Sequence, residues 1–133
     1  MLTWLRSLFR RPDPPAEFRS RQTELLAEWF RTAVASGKPK GLVWVKCEPL
    51  GEPIFGHGWA VLTTMVQFEP VADGPLADVP QAREPRRVVA VFTYTRRGWS
   101  TTGRAVFNLS AEQVAKAMSR PVSPTRERGA NHL

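Results

Sequence analysis

Two residues of this 133-residue chain carry the chemistry of a nucleophile and a base: Cys47, the only cysteine, and His57. A thiol beside an imidazole is a recurrent pair in covalent catalysis, and a carboxylate, here Glu48 or Glu52, would orient the ring. Ten residues separate the two, close enough for a strand residue and a loop residue to meet. His57 stands between Gly56 and Gly58, a setting that suits a site or an ordinary turn. Cys47 reads equally well as a small buried hydrophobe. Cys47 and His57 are the catalytic candidates of a chain otherwise poor in catalytic signatures. Zinc takes four protein ligands, or three and a water. One cysteine with His57 and His132 falls short of that set, so no metal is expected. Gly51, Gly56 and Gly58 fit neither GxxxxGK[ST] nor GxGxxG, and no cofactor is expected.

The second available chemistry is anion binding. The net charge is +7 and is unevenly placed. Residues 1–40 hold eight Lys/Arg against four Asp/Glu, residues 41–80 one against five, and residues 81–133 ten against three. Fifteen of the nineteen basic residues are arginine. Genomic base composition alone produces such a bias; an acidic partner is the functional alternative. Arg86, Arg87, Arg96, Arg97 and Arg104 cluster in sequence with Tyr94 and Trp99. Guanidinium groups neutralise phosphate and aromatic rings stack on bases, so these five are the candidate contacts for an anionic ligand. No established nucleic-acid signature accompanies them.

The elements that must position these groups are legible in outline. Val88 to Thr95 is almost wholly β-branched or aromatic and reads as a strand. Arg96-Arg97-Gly98 offers a three-residue turn with Gly98 in the left-handed region, and Trp99 to Asn108 forms the return strand. Gly103 within it predicts a bulge, or close packing of a helix with room for Trp29 or Phe30. Upstream, Asp13-Pro14-Pro15 marks a helix start. Leu25, Leu26, Trp29, Phe30, Ala33 and Val34 give one apolar stripe, and Gly37 is the stop.

Gly41 to Glu48 reads as a strand, with Val43, Val45 and Cys47 on one face and Trp44 on the other. Pro49 to Gly58 reads as a loop. Trp59 to Phe68 is a strand apolar on both faces, which predicts a central position or a second covering layer. Residues 69–87 form a long loop punctuated by Pro70, Pro75, Pro80 and Pro85, either functional or mobile. Ser110 and Gln113 form a capping box, flanked by Leu109 and Val114 as a hydrophobic staple. The short helix they open stops before Pro121.

These elements predict an α+β fold: a long N-terminal helix packed across a four-stranded, mostly antiparallel sheet, with a short C-terminal helix. At the level of architecture alone the order resembles cystatin-like and related helix-on-sheet folds; the resemblance carries no motif and implies no activity. Residues 1–12 are expected to form a short amphipathic or disordered segment, residues 13–120 a single domain, and residues 121–133 a disordered tail. Leu2, Trp4, Leu5, Leu8 and Phe9 with Arg6, Arg10 and Arg11 have the composition of a membrane-interface anchor, so peripheral membrane contact through 1–12 is one expectation. No apolar run spans a bilayer and no secretory signal is evident, which points to the cytoplasm.

The poverty of catalytic groups points away from an enzyme. The leading expectation is a small interaction domain that binds a protein partner or self-associates through an open sheet face bearing Trp44, Trp59 or Met65. Nucleic-acid or anionic-surface binding through the arginine-bearing hairpin is the alternative. A ligand or catalytic pocket with His57 at its mouth is the third.

Overall fold

The side chain of Asp13 accepts a hydrogen bond from the Ala16 amide at 3.3 Å and so caps helix α1, Pro14–Ala35, whose first two positions are prolines. Proline at this point loses no hydrogen bond, because the first helical N–H groups have no intrahelical acceptor. The helix spans about 33 Å at ~1.5 Å per residue and ends before Gly37, which takes φ +73. The computed structural model describes residues 13–120; the expectations for residues 1–12 and 121–133, and His132 with them, lie outside the described residues.

Six strands follow: β1 (Leu42–Pro49), β2 (Ile54–Gly56), β3 (Trp59–Pro70), β4 (Arg86–Thr95), β5 (Gly98–Ser100) and β6 (Ala105–Phe107). All pairings are antiparallel. β3 and β4 are central; β1 and β2 lie along the outer side of β3, and β5 and β6 along the outer side of β4. The architecture is therefore the expected four-row antiparallel sheet, with each edge row interrupted once. Helix α2, Ala111–Ser119, closes the described chain.

Helix α1 lies on one face. Its Phe18, Leu25, Leu26, Trp29 and Ala33 pack with Trp44, Leu62, Val66, Phe68, Val88, Phe92 and Trp99. The N-terminal half sits over the hairpin tip, where Phe18 meets Phe55, Phe92 and Trp99 edge-on at centroid distances of 5.0–5.4 Å. The C-terminal half sits over the other end, where Trp29 meets Trp44 at 5.6 Å. The indole N–H groups are satisfied by backbone oxygens: Trp29 donates to Arg104, Trp44 to Lys38 and Trp99 to Pro14, each at 2.8 Å. Burying these rings removes much apolar surface from water, and the three N–H bonds avoid the cost of leaving a donor dry.

Helix α2 lies on the opposite face. Ala111, Val114 and Ala115 pack on Trp59, Val61, Val89 and Val91. This is the second layer that the two-faced apolar strand β3 requires. The capping box forms in full: Ser110 Oγ accepts from the Gln113 amide at 3.1 Å, and Gln113 Oε1 accepts from the Ser110 amide at 2.8 Å. Leu109, expected to staple against Val114, is 46% exposed while Val114 is buried.

Three sequence expectations need correction. First, a β-bulge at Val45 shifts the register between Trp44 and Lys46. Cys47 consequently packs into the core under α1 with Trp44, away from Val43 and Val45, because an extra residue reverses the alternation beyond it. Second, Ile54-Phe55-Gly56 is strand, and His57-Gly58 is its two-residue turn into β3. Third, the connection from β3 to β4 is shorter than expected and is folded. It contains a 3-10 turn at Pro80–Arg83 and buries Ala82, and Gln67 Nε2 donates to the Arg83 carbonyl at 2.7 Å.

Candidate anion-binding groove

The close approach of α1 to the β5–β6 edge creates the principal concavity. Gly103 has φ +81, and a Cβ there would stand 2.8 Å from the Ala33 amide nitrogen. Only glycine permits both the left-handed backbone and the contact. The Trp29 bond to the Arg104 carbonyl fixes the same point from the helix side. Beyond this pinch the last turn of α1 and Lys38-Pro39-Lys40 diverge from β6. A groove of about 1320 Å³ opens between them. Trp44, Ala105 and Phe107 form its apolar floor, and Gln81 to Arg87 its end wall.

The rim of this groove is cationic. Lys38, Lys40, Arg86, Arg87 and Arg104 line it, and Glu84 is the sole carboxylate. All five cationic residues are solvent-exposed. None takes part in an ion pair among the described residues, where Arg21–Glu24, on the outer side of α1, is the one pair formed. Asn108, Ser110 and Thr102 add neutral hydrogen-bonding groups. Uncompensated like charges around one concavity raise the local concentration of anions and repel one another until one binds.

The five arginine candidates divide. Arg86, Arg87 and Arg104 meet in the groove; Arg96 and Arg97 lie at the β4–β5 turn, at the far end of β4. Gly98 takes φ +100 as expected, but it pairs with Thr95 as the first residue of β5, so the turn has two residues and not the expected three. Lys38 and Lys40 were missed by sequence reading. They flank a proline in a linker and carry no pattern of their own; the folded proximity of residues 38–40 to residues 86–104 makes them part of the site.

The catalytic candidates are not brought together. Cys47 pairs with Val66 on β3, whereas the turn holding His57 joins Gly56 to Trp59. Seven β3 residues separate the two levels, roughly 23 Å at ~3.3 Å per residue. The Cys47 thiol is also pushed up from its ordinary pKa, first by burial and then by Glu48, opposite to the shift that makes a nucleophile. His57 is exposed at a smaller cleft of about 760 Å³ lined by Pro14, Pro15, Phe55, Tyr94, Arg96 and Trp99. The Tyr94 hydroxyl there donates to Glu17 at 3.4 Å. Among the described residues no three His, Cys, Asp or Glu side chains gather as metal ligands.

The proposed partner-binding trio is also split. Trp44 lies buried under α1 and Trp59 lies buried under α2, on opposite faces. Met65 is half-buried, and pairs with Glu48 and Arg87 across the sheet. Elsewhere on β1, Val43 and Val45 are 50% and 44% exposed. No described helix is long and apolar enough to cross a membrane. No family model, no curated protein and no solved structure matches the chain.

Proposed function

We propose that this protein is a non-enzymatic binding domain whose groove between the C-terminal end of α1 and β6 takes a phosphate-bearing anionic ligand. One observation carries the reading: Lys38, Lys40, Arg86, Arg87 and Arg104, drawn from three separate segments, surround one concavity with no ion-pair partner among the described residues. Guanidinium groups present donors in a fork that matches phosphate oxygens. The half-buried Phe107, with the edge of the buried Trp44 beside it, offers apolar surface to a base or sugar.

The reading is tested by fluorescence anisotropy with a labelled thymidylate tetramer. The tetramer's three internucleotide phosphates predict a salt slope of about −2.1 for a single strand, a loss of roughly 20-fold between about 50 and 200 mM salt. The variant R86S/R87S/R104S should lose binding altogether. Binding that is flat with salt and unchanged in this variant would overturn the reading.

A second reading, a protein partner or self-association, is favoured by Val43 and Val45. They sit exposed on the edge strand β1, where Val43 pairs with Glu69, and neither belongs to the α2 cluster. It predicts that V43S/V45S dissociates an oligomer seen by light scattering. A wild-type monomer at high concentration that captures no protein would remove it.

A further inference from the structure

The arginines of the turn and those of the groove lie along one edge of the sheet. Arg87 on β4 and Arg96 in the turn that follows it stand nine residues apart, up to about 30 Å at ~3.3 Å per residue. Arg104 lies between them, since its carbonyl accepts from the Val91 amide at 3.2 Å. The edge row that joins these levels is Gly98 to Ser110, and it contains no Asp or Glu. It does contain Ser100, Thr101, Thr102, Asn108 and Ser110. Ser100 and Thr102 are exposed, and Thr101 is turned inward to bond the Val91 carbonyl. Neither Arg96 nor Arg97 forms an ion pair among the described residues. Along this row the exposed polar side chains are therefore cations and neutral hydroxyl and amide groups, with Glu84 at the groove end and Glu17 of α1, which accepts from Tyr94, at the turn end.

Resting on the groove as an anion site, we infer that the natural ligand is single-stranded nucleic acid. Its phosphodiester backbone runs from the groove along the β5–β6 edge to the Arg96-Arg97 turn. A stacked strand advances about 3.4 Å per nucleotide, so ~30 Å corresponds to roughly nine nucleotides. The chemistry favours this occupant over others. A strip about 30 Å long and one strand wide fits a single polyanionic chain, whereas a bilayer presents a plane. Hydroxyl and amide groups between the cations suit phosphate oxygens at every step. Tyr94, half-buried beside the turn, and Phe107, at the groove floor, place an aromatic ring near each end for base stacking.

The test compares thymidylate tetramer with thymidylate dodecamer by anisotropy, on the full chain and on R96S/R97S, with polyglutamate and anionic phosphatidylserine vesicles alongside. The tetramer, about 14 Å long, reaches the groove alone; the dodecamer covers the strip. Per binding register the dodecamer should bind at least about ten-fold tighter, as two further charge-assisted contacts warrant. Its salt slope should be steeper by about 1.4. R96S/R97S should remove both gains and leave tetramer binding intact. Equal affinity for the two lengths, or a gain that survives R96S/R97S, would overturn the strip while the groove stands. Failure of both oligonucleotides would overturn strip and groove together as nucleic-acid sites. Polyglutamate or vesicles bound as tightly as the dodecamer would assign the strip to an acidic peptide or a membrane surface instead.

Discussion

The two edges of the sheet have opposite characters. The β1–β2 edge row carries Glu48 and Glu52 with one cation, Lys46, and leaves Val43 and Val45 exposed. The β5–β6 edge row has no carboxylate from Gly98 to Ser110, and Arg104, Arg86 and Arg87 gather there with Lys38 and Lys40. Among the described residues cations therefore gather on this side, which attracts an anion to a place. The meander makes this separation: the acidic middle of the chain builds β1 and β3, and the basic last third builds β4 to β6. Charge that is segmental along the sequence becomes lateral across the fold.

The largest effect expected from this contrast is charge reversal on one edge against the other. R86E/R104E should abolish oligonucleotide binding, while K46E on the opposite edge should change affinity by less than about two-fold, the usual consequence of a screened charge more than a Debye length away. Anisotropy at low salt reads both. Equal losses from the two variants would mean that net charge alone drives binding.

The groove also depends on how closely α1 approaches the β5–β6 edge. Gly103→Ala places a Cβ 2.7–2.8 Å from Thr32 and the Ala33 amide nitrogen at φ +81. It should cost about 3 kcal/mol in urea unfolding, combining left-handed strain with overpacking. Gly37→Ala, at φ +73 with open space around it, bears the strain alone and should cost about 1 kcal/mol. Similar costs at the two glycines would show that the pinch is not a tight contact.

Smaller effects follow at single hydrogen bonds. Trp29→Phe keeps the ring's burial largely intact and removes the donor to Arg104, for about 1–2 kcal/mol. It should also weaken tetramer binding if that bond holds Arg104 in place. Ser110→Ala removes one side of the capping box and should cost about 1 kcal/mol in urea unfolding.

The smallest effect is chemical. The Cys47 pKa is raised in the fold, so at pH 8 the native protein should react with a thiol reagent more slowly than the urea-unfolded chain. The sign for stability follows: the neutral thiol is favoured in the fold, so its contribution is present below the unfolded pKa and is lost as pH rises through it. Equal reactivity of folded and unfolded chains would show that the thiol is not shielded.

Local chemistry was legible in the sequence and through-space geometry was not. The capping box at Ser110 and Gln113, the proline-bearing start of α1, the left-handed Gly98 and the close packing at Gly103 each depend on a few neighbouring residues, and each stands as read. The bulge at Val45 could not be read, because no residue type requires it; it is set by the pairing of Trp44 with Phe68 and Cys47 with Val66. That one inserted residue turned Cys47 inward beside Trp44. Strand β2 was hidden because His57-Gly58 lacks the Asn-Gly or Asp-Gly turn signature, although Gly58 supplies the positive φ, +86, that such a turn uses. Trp44 and Trp59 looked available because their strand faces were visible and the helices that cover them were not placed. The arginines were legible as a list. Their division into groove and turn, and the addition of Lys38 and Lys40, required the fold.

Anions should bind along the β5–β6 edge and not along the outer edge of β1. Backbone amide chemical-shift mapping during titration with thymidylate dodecamer tests it most directly. Shifts are expected at Lys38, Lys40, Trp44, Arg86, Arg87 and Arg96 to Ser110, with Lys46 to Glu48 silent. Shifts confined to the β1 strand, or spread evenly over every exposed basic residue, would contradict it.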